Sequence, residues 1–182
     1  MPIPILSREE IVRRIETNLQ SPPPSLSILE IDVNDMAPWY DVYGVDQRER
    51  AMDAFFGTIA EVKLDSVSRL AGRLFFAGRH PYDKLLLYDT QNQKDLSAIA
   101  TTLKGRLDAT LIPNPAGLQL QRTRYKSHDI DVDPQHLTVR IGVAYQHASY
   151  SPYDVGGLVG KALDAAERAK VAPGQIVVVQ HT

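Results

Sequence analysis

Residues 27–44 read SILEIDVNDMAPWYDVYG. The stretch opens in an apolar run, Leu26-Ser27-Ile28-Leu29-Glu30-Ile31, which predicts a strand from Leu26 to Asp32. That strand ends on a carboxylate, with Asn34 and Asp35 just behind it. Carboxylates grouped at a sheet edge suit a hard cation such as Mg²⁺, which takes oxygen ligands and commonly binds through one or two carboxylates plus substrate phosphates. Asp32 to Asp35 read equally well as an Asx-type turn or a helix cap. The stretch alone leaves both open.

Working outward, Ser7 and Glu10 form a capping-box pattern ahead of a helical stripe of Ile11, Val12, Ile15 and Leu19. Ser21-Pro22-Pro23-Pro24 ends that helix as a stiff spacer. Beyond the opening stretch, Pro38 to Asp41 reads as a turn or short helix, and a longer helix is expected from about Val45 to Lys63. Leu74 to Ala77 and Leu85 to Tyr88 predict a β-hairpin with turn chemistry at Gly78 to Pro81 and Asp83 at the bend. Asp95 to Leu107 has helical spacing. Leu118 to Tyr125 reads as an extra strand, and Lys126 to Gln135 as an exposed acidic loop. Leu137 to Tyr145 is a strand, Pro152 to Lys170 a helix and Ile176 to Val179 a last strand. The order predicts an α/β (α+β) fold: a ferredoxin-like palm with a βαββαβ core, a central mainly antiparallel sheet flanked by helices, and an added N-terminal helix.

Composition narrows the function. The 182 residues suggest one domain, and 43% apolar with 23% charged residues is ordinary for a soluble globular protein. A net charge of −2 offers no footprint for DNA, RNA or an anionic membrane. The absence of cysteine excludes disulfides, thiolate metal sites and a cysteine nucleophile. No apolar run approaches a membrane span and no signal peptide is visible, so a cytoplasmic protein, or an excised piece of a larger one, is expected. The histidines show no paired metal-ligand spacing. Trp39 reads either as a core or lid residue or as a base-stacking surface.

The ordered motifs resemble the GGDEF domain of diguanylate cyclases, within the palm-fold nucleotide cyclases and polymerases, over roughly Leu6 to Val179. Asp32 to Val45 lies along the family's first motif, Arg79 to Leu85 along its signature hairpin, Arg140 to Ala144 along its later strand, and Ala165 to Lys170 along its C-terminal helix end. The resemblance implies residues 1–25 as an N-terminal helix and Pro-rich spacer before a palm domain at 26–182, the helix being a packing or dimer-contact element. It places Asp32, Val33 and Asp83 at the metal. It places Tyr40, Glu49, Lys84 and Lys170 around the nucleotide, with Glu49 at the guanine and Lys170 at the terminal phosphates.

The departures bear on activity. Tyr40 stands where the family has a guanine-reading asparagine, and Ala37 where it has a phosphate-contacting lysine. Pro81 and Tyr82 replace both signature glycines, which crowds the approach of the hairpin to a nucleotide. Lys84 replaces the signature glutamate, so that it pairs with Asp83 or touches a phosphate. The product-inhibition motif is absent, with Gly72 and Phe75 at the matching positions. Two expectations follow. The first is a degenerate GGDEF-like bacterial signalling domain without diguanylate cyclase activity, which binds a nucleoside triphosphate or cyclic dinucleotide with Mg²⁺ or serves as a dimerising regulatory module, as a homodimer or with a protein partner. The second is an active palm-fold nucleotide cyclase, oligonucleotide synthase or GTP cyclohydrolase-like enzyme acting on a nucleoside triphosphate with Mg²⁺.

Overall fold

The structure is a computed structural model and describes residues 3–19, 23–64, 74–90, 95–147 and 152–181. Strand β1 (Ser25–Val33) is buried along its whole length, as a continuous apolar run covered on both faces requires. It is the middle of a five-stranded sheet. With β2 (Leu74–His80), β3 (Lys84–Asp89), β6 (Val139–His147) and β7 (Ile176–Gln180), the order is β2-β3-β1-β6-β7. All pairings are antiparallel except β6 with β7. This is the expected mixed α+β palm.

Side-chain alternation gives the sheet two cores. Leu29, Ile31 and Val33 face α2 (Met36–Leu64) and α3 (Leu96–Asp108), with Phe55, Ile59, Ile99 and Leu103 among the packing residues. Leu26 and Ile28 face α1 (Arg8–Asn18) and α4 (Val155–Ala169), through Ile11, Ile15, Leu158 and Ala162. The Ser7–Glu10 capping box closes α1 as its sequence implies. The two-part reading of α2 is also realised: Gly44, at φ 78°, breaks it into a short helix and a long one, a conformation glycine adopts without a Cβ clash. At Gly142 a Cβ would lie 2.2 Å from the Ala166 nitrogen, so this glycine lets α4 approach β6.

Three local expectations are corrected. Gly78 lies inside β2, where the register shifts between Phe76 and Gly78; the turn is Pro81 to Asp83. Residues 128–132, read as loop, form strand β5 (His128–Val132), paired with β4 (Gln121–Tyr125). Its aspartates masked the alternation of Ile130 and Val132, the latter buried against α2 and α3. β4 itself starts at Gln121, three residues later than expected. Gly72 and the spacer residues Ser21 and Pro22 lie outside the described residues.

Candidate functional site

The strand register decides what surrounds Asp32. It stands directly opposite Lys84 on β3 and Arg140 on β6, and directly opposed residues share a face. Glu30, two residues earlier, points the same way. Arg140 donates to Asp32 and, at 2.8 Å, to Asn34 Oδ1. The Lys84 ammonium lies 2.8 Å from Glu30, 3.5 Å from Asp32 and 3.6 Å from Glu167 of α4. Lys170 pairs with the same Glu167. Three acids, Glu30, Asp32 and Glu167, thus meet three bases, Lys84, Arg140 and Lys170.

Burial is severe at the centre. Glu30 is fully buried, and its Oε2 has no hydrogen-bond partner among the described residues. Its pKa is pushed up to about 7, burial outweighing the opposing pull of Lys84. Lys84 is pushed up in turn: burial works against its charge, but Glu30, Asp32 and Glu167 outweigh that. Glu167 is held low, first by its hydrogen bond from Lys170.

Asp83 belongs to a second cluster, toward α2. Arg48 of α2 binds both its carboxylate oxygens at 2.8 Å. Arg79, itself 1% exposed, donates to Asp83 at 2.6 Å and grips Glu49 through two bonds of 2.7 and 2.9 Å. These bonds hold the Glu49 carboxyl below its ordinary range. The Arg48 guanidinium also lies over the Tyr40 ring, 5.4 Å from its centre. Two acids again face two bases. Tyr82 and Asp83 both take positive φ, 66° and 61°, which turns the Asp83 side chain toward α2 while Asp32 faces α4.

Tyr82 does not fill a cleft, being 83% exposed. The carboxylates are occupied by guanidinium and ammonium groups instead. A hard divalent cation needs several free oxygens converging at about 2.0–2.6 Å. Among the described residues no group of three or more His, Asp or Glu is arranged to hold a metal ion. The donor set therefore does not fit Mg²⁺ as it stands. No described helix is long and apolar enough to cross a membrane.

At the level of sequence, no protein-family model and no curated protein matches the chain. Solved structures do match. The GGDEF domain of DgcB from Caulobacter crescentus, in complex with c-di-GMP, is similar at TM-score 0.66 and 10% identity, over 98% of this chain and 93% of that one. The active GGEEF domain of a diguanylate cyclase from Vibrio cholerae is similar at TM-score 0.63 and 12% identity, over 98% and 99%. The diguanylate cyclase SiaD from Pseudomonas aeruginosa, in complex with its activator SiaC, is similar at TM-score 0.66 and 14% identity, over 97% of this chain but only 59% of SiaD. The chain has the GGDEF fold.

Within that fold, the positions named from sequence fall into two groups. Tyr40, Glu49 and Asp83 come together through Arg48 and Arg79. Asp32, Lys84 and Lys170 come together through Glu30 and Glu167. Val33 sits in the ladder opposite Val139, its side chain buried in the α2/α3 core. Lys84 pairs with Glu30 and Asp32 rather than with Asp83, because its strand position points it to the α4 face. Trp39 is core: it is fully buried, and its indole donates to the Asp133 carbonyl at 2.6 Å. Phe75 stacks on Tyr88. Sequence reasoning did not single out Arg48, Arg79, Arg140, Glu30 or Glu167 as members of the site. The available signal was charge: an arginine opens the later-strand motif, and a lysine replaces the signature acid.

Proposed function

We propose that this chain is a signalling domain of GGDEF fold that has no diguanylate cyclase activity and works as a regulatory module through protein contacts, either with a second copy or with a different protein. One observation carries the reading. Both carboxylates at the metal positions, Asp32 and Asp83, are paired with arginines, and they are turned to different sides of the sheet end. Two-metal or single-metal activation of a 3′-hydroxyl needs those oxygens on the cation. Here each metal ligand would first have to leave a buried ion pair, and breaking such a pair by losing one partner costs about 3–5 kcal/mol. The Tyr40 ring, at the position of the family's guanine-reading asparagine, lies under the Arg48 guanidinium that also holds Asp83.

The test is a titration of the chain with GTP and ATP, with and without Mg²⁺, followed by product analysis and thermal melting. The expected result is no cyclic dinucleotide product and no Mg²⁺-dependent rise in melting temperature. A ligand at 100 times its Kd adds roughly 2.7 kcal/mol, which melting detects readily. Product from GTP, or a nucleotide-specific rise that needs Mg²⁺ and is lost in Asp32→Asn, would overturn the reading in favour of an active palm enzyme.

A further inference from the structure

We propose that the Lys84 ammonium is a built-in cation that takes the place of a bound metal ion at the acidic end of the sheet. The inference deepens the functional reading above and rests on it. Three carboxylates from two elements surround this one group: Glu30 and Asp32 of β1 at 2.8 and 3.5 Å, and Glu167 of α4 at 3.6 Å. Two of the three are buried, Glu30 completely. Glu30 keeps one oxygen, Oε2, buried and without a partner beside the ammonium. Buried carboxylates need a counter-charge, and no other described cation contacts Glu30. Arg140 serves Asp32 and Lys170 serves Glu167, so Lys84 is the charge that closes the balance at Glu30.

Two consequences separate this role from ordinary side-chain packing. The native protein needs no divalent cation at this end. A chain that keeps the lysine stem but loses its charge acquires a site for one. The ligand class is a divalent metal ion, taken by Glu30 with Asp32 and Glu167 as neighbours.

The test compares the wild type with Lys84→Met, in EDTA and in millimolar Mn²⁺ or Mg²⁺, without nucleotide. It is run near pH 8, with NaCl matched for ionic strength. The wild-type melting temperature is expected to be the same in all conditions. Lys84→Met is expected to melt lower in EDTA and to recover by about 3 °C or more with Mn²⁺ but not with NaCl. Adding Glu30→Gln to Lys84→Met is expected to restore stability in EDTA and abolish the Mn²⁺ response. If Lys84→Met is unfolded in EDTA, refolding on addition of Mn²⁺ supports the proposal. A folded Lys84→Met that ignores Mn²⁺, a response that survives Glu30→Gln, or a double variant that fails to fold at all would overturn it. Product from GTP in the wild type would instead overturn the functional reading, so the two failures are distinguishable.

Discussion

Glu30 gives the sharpest quantitative handle on this fold. Its pKa rises from 4.5 to about 7 on folding, because burial penalises the carboxylate more than Lys84 favours it. In that window the folded state holds a proton that the unfolded chain has released, so stability falls as pH rises through it. At about 1.4 kcal/mol per pH unit, the span from 4.5 to about 7 amounts to roughly 3 kcal/mol. About 2 kcal/mol of it falls between roughly pH 5 and 7.5. The contribution is complete below 4.5 and gone above about 7. The acids held low, Glu10, Glu49, Asp154 and Glu167, act only below the ordinary carboxylate range and leave this window alone. His80 acts within it with the opposite sign: burial lowers its pKa, so its contribution is lost as pH falls.

The comparison with Glu30→Gln removes that His80 background. Urea denaturation at a series of pH values is the assay. With an m-value of about 2 kcal/mol/M, the wild-type midpoint is expected to drop by about 1 M, relative to Glu30→Gln, between roughly pH 5 and 7.5. Parallel curves for the two proteins would refute the assignment of a buried, proton-holding carboxyl at Glu30. A rise of the wild type relative to the variant would mean that Lys84 outweighs burial.

Three further outcomes are expected. Tyr82→Gly relieves a left-handed backbone at an exposed site and is expected to raise the melting temperature by about 2–4 °C, that is by about 1 kcal/mol. Gly142→Ala drives a Cβ to 2.3 Å from the Ala162 carbonyl oxygen and is expected to cost about 3 kcal/mol or more in chemical denaturation. Asp32→Asn strips Arg140 of its carboxylate partner and is expected to cost about 3 kcal/mol with no metal present, read from the same urea curves; a stabilised variant would contradict the ion-pair description.

The palm was legible because its elements announce themselves locally. β1 is one apolar run, α1 carries its own capping box, and Gly44 marks the break in α2. β5 was missed because period-2 burial of Ile130 and Val132 is carried by two side chains between aspartates, too short a signal against an acidic background. The hairpin turn was placed too early because Gly78 looks like turn chemistry, whereas it sits at a bulge against Leu6 and Ile11. At the site, the acidic positions were legible as residue types, but their partners were not. Arg140 lies 108 positions from Asp32 in the chain, and only the β1–β6 register brings it opposite. Which face Asp83 takes is set by two positive-φ residues in the turn, one of them a tyrosine, and local sequence preference argues against that conformation.

The sign of the Asp32→Asn effect expresses the physical difference between two ways of building the same sheet end. Carboxylates gathered for a metal repel one another when the metal is absent, so neutralising one stabilises the empty protein. Carboxylates gathered around their own arginines and lysine are already neutralised, and removing one strands a buried cation. In this chain both clusters close their charge internally: Glu30, Asp32 and Glu167 against Lys84, Arg140 and Lys170, and Glu49 and Asp83 against Arg79 and Arg48. Each member therefore holds its neighbours in place, and a single substitution toward a free carboxylate loses an ion pair before it gains a ligand. By the Lys84 proposal, removing that one charge opens Glu30 to a cation; bringing Asp32 or Asp83 onto one requires Arg140, or Arg48 and Arg79, to change as well. The acids at the strand ends are for that reason held in ion pairs that the fold itself needs.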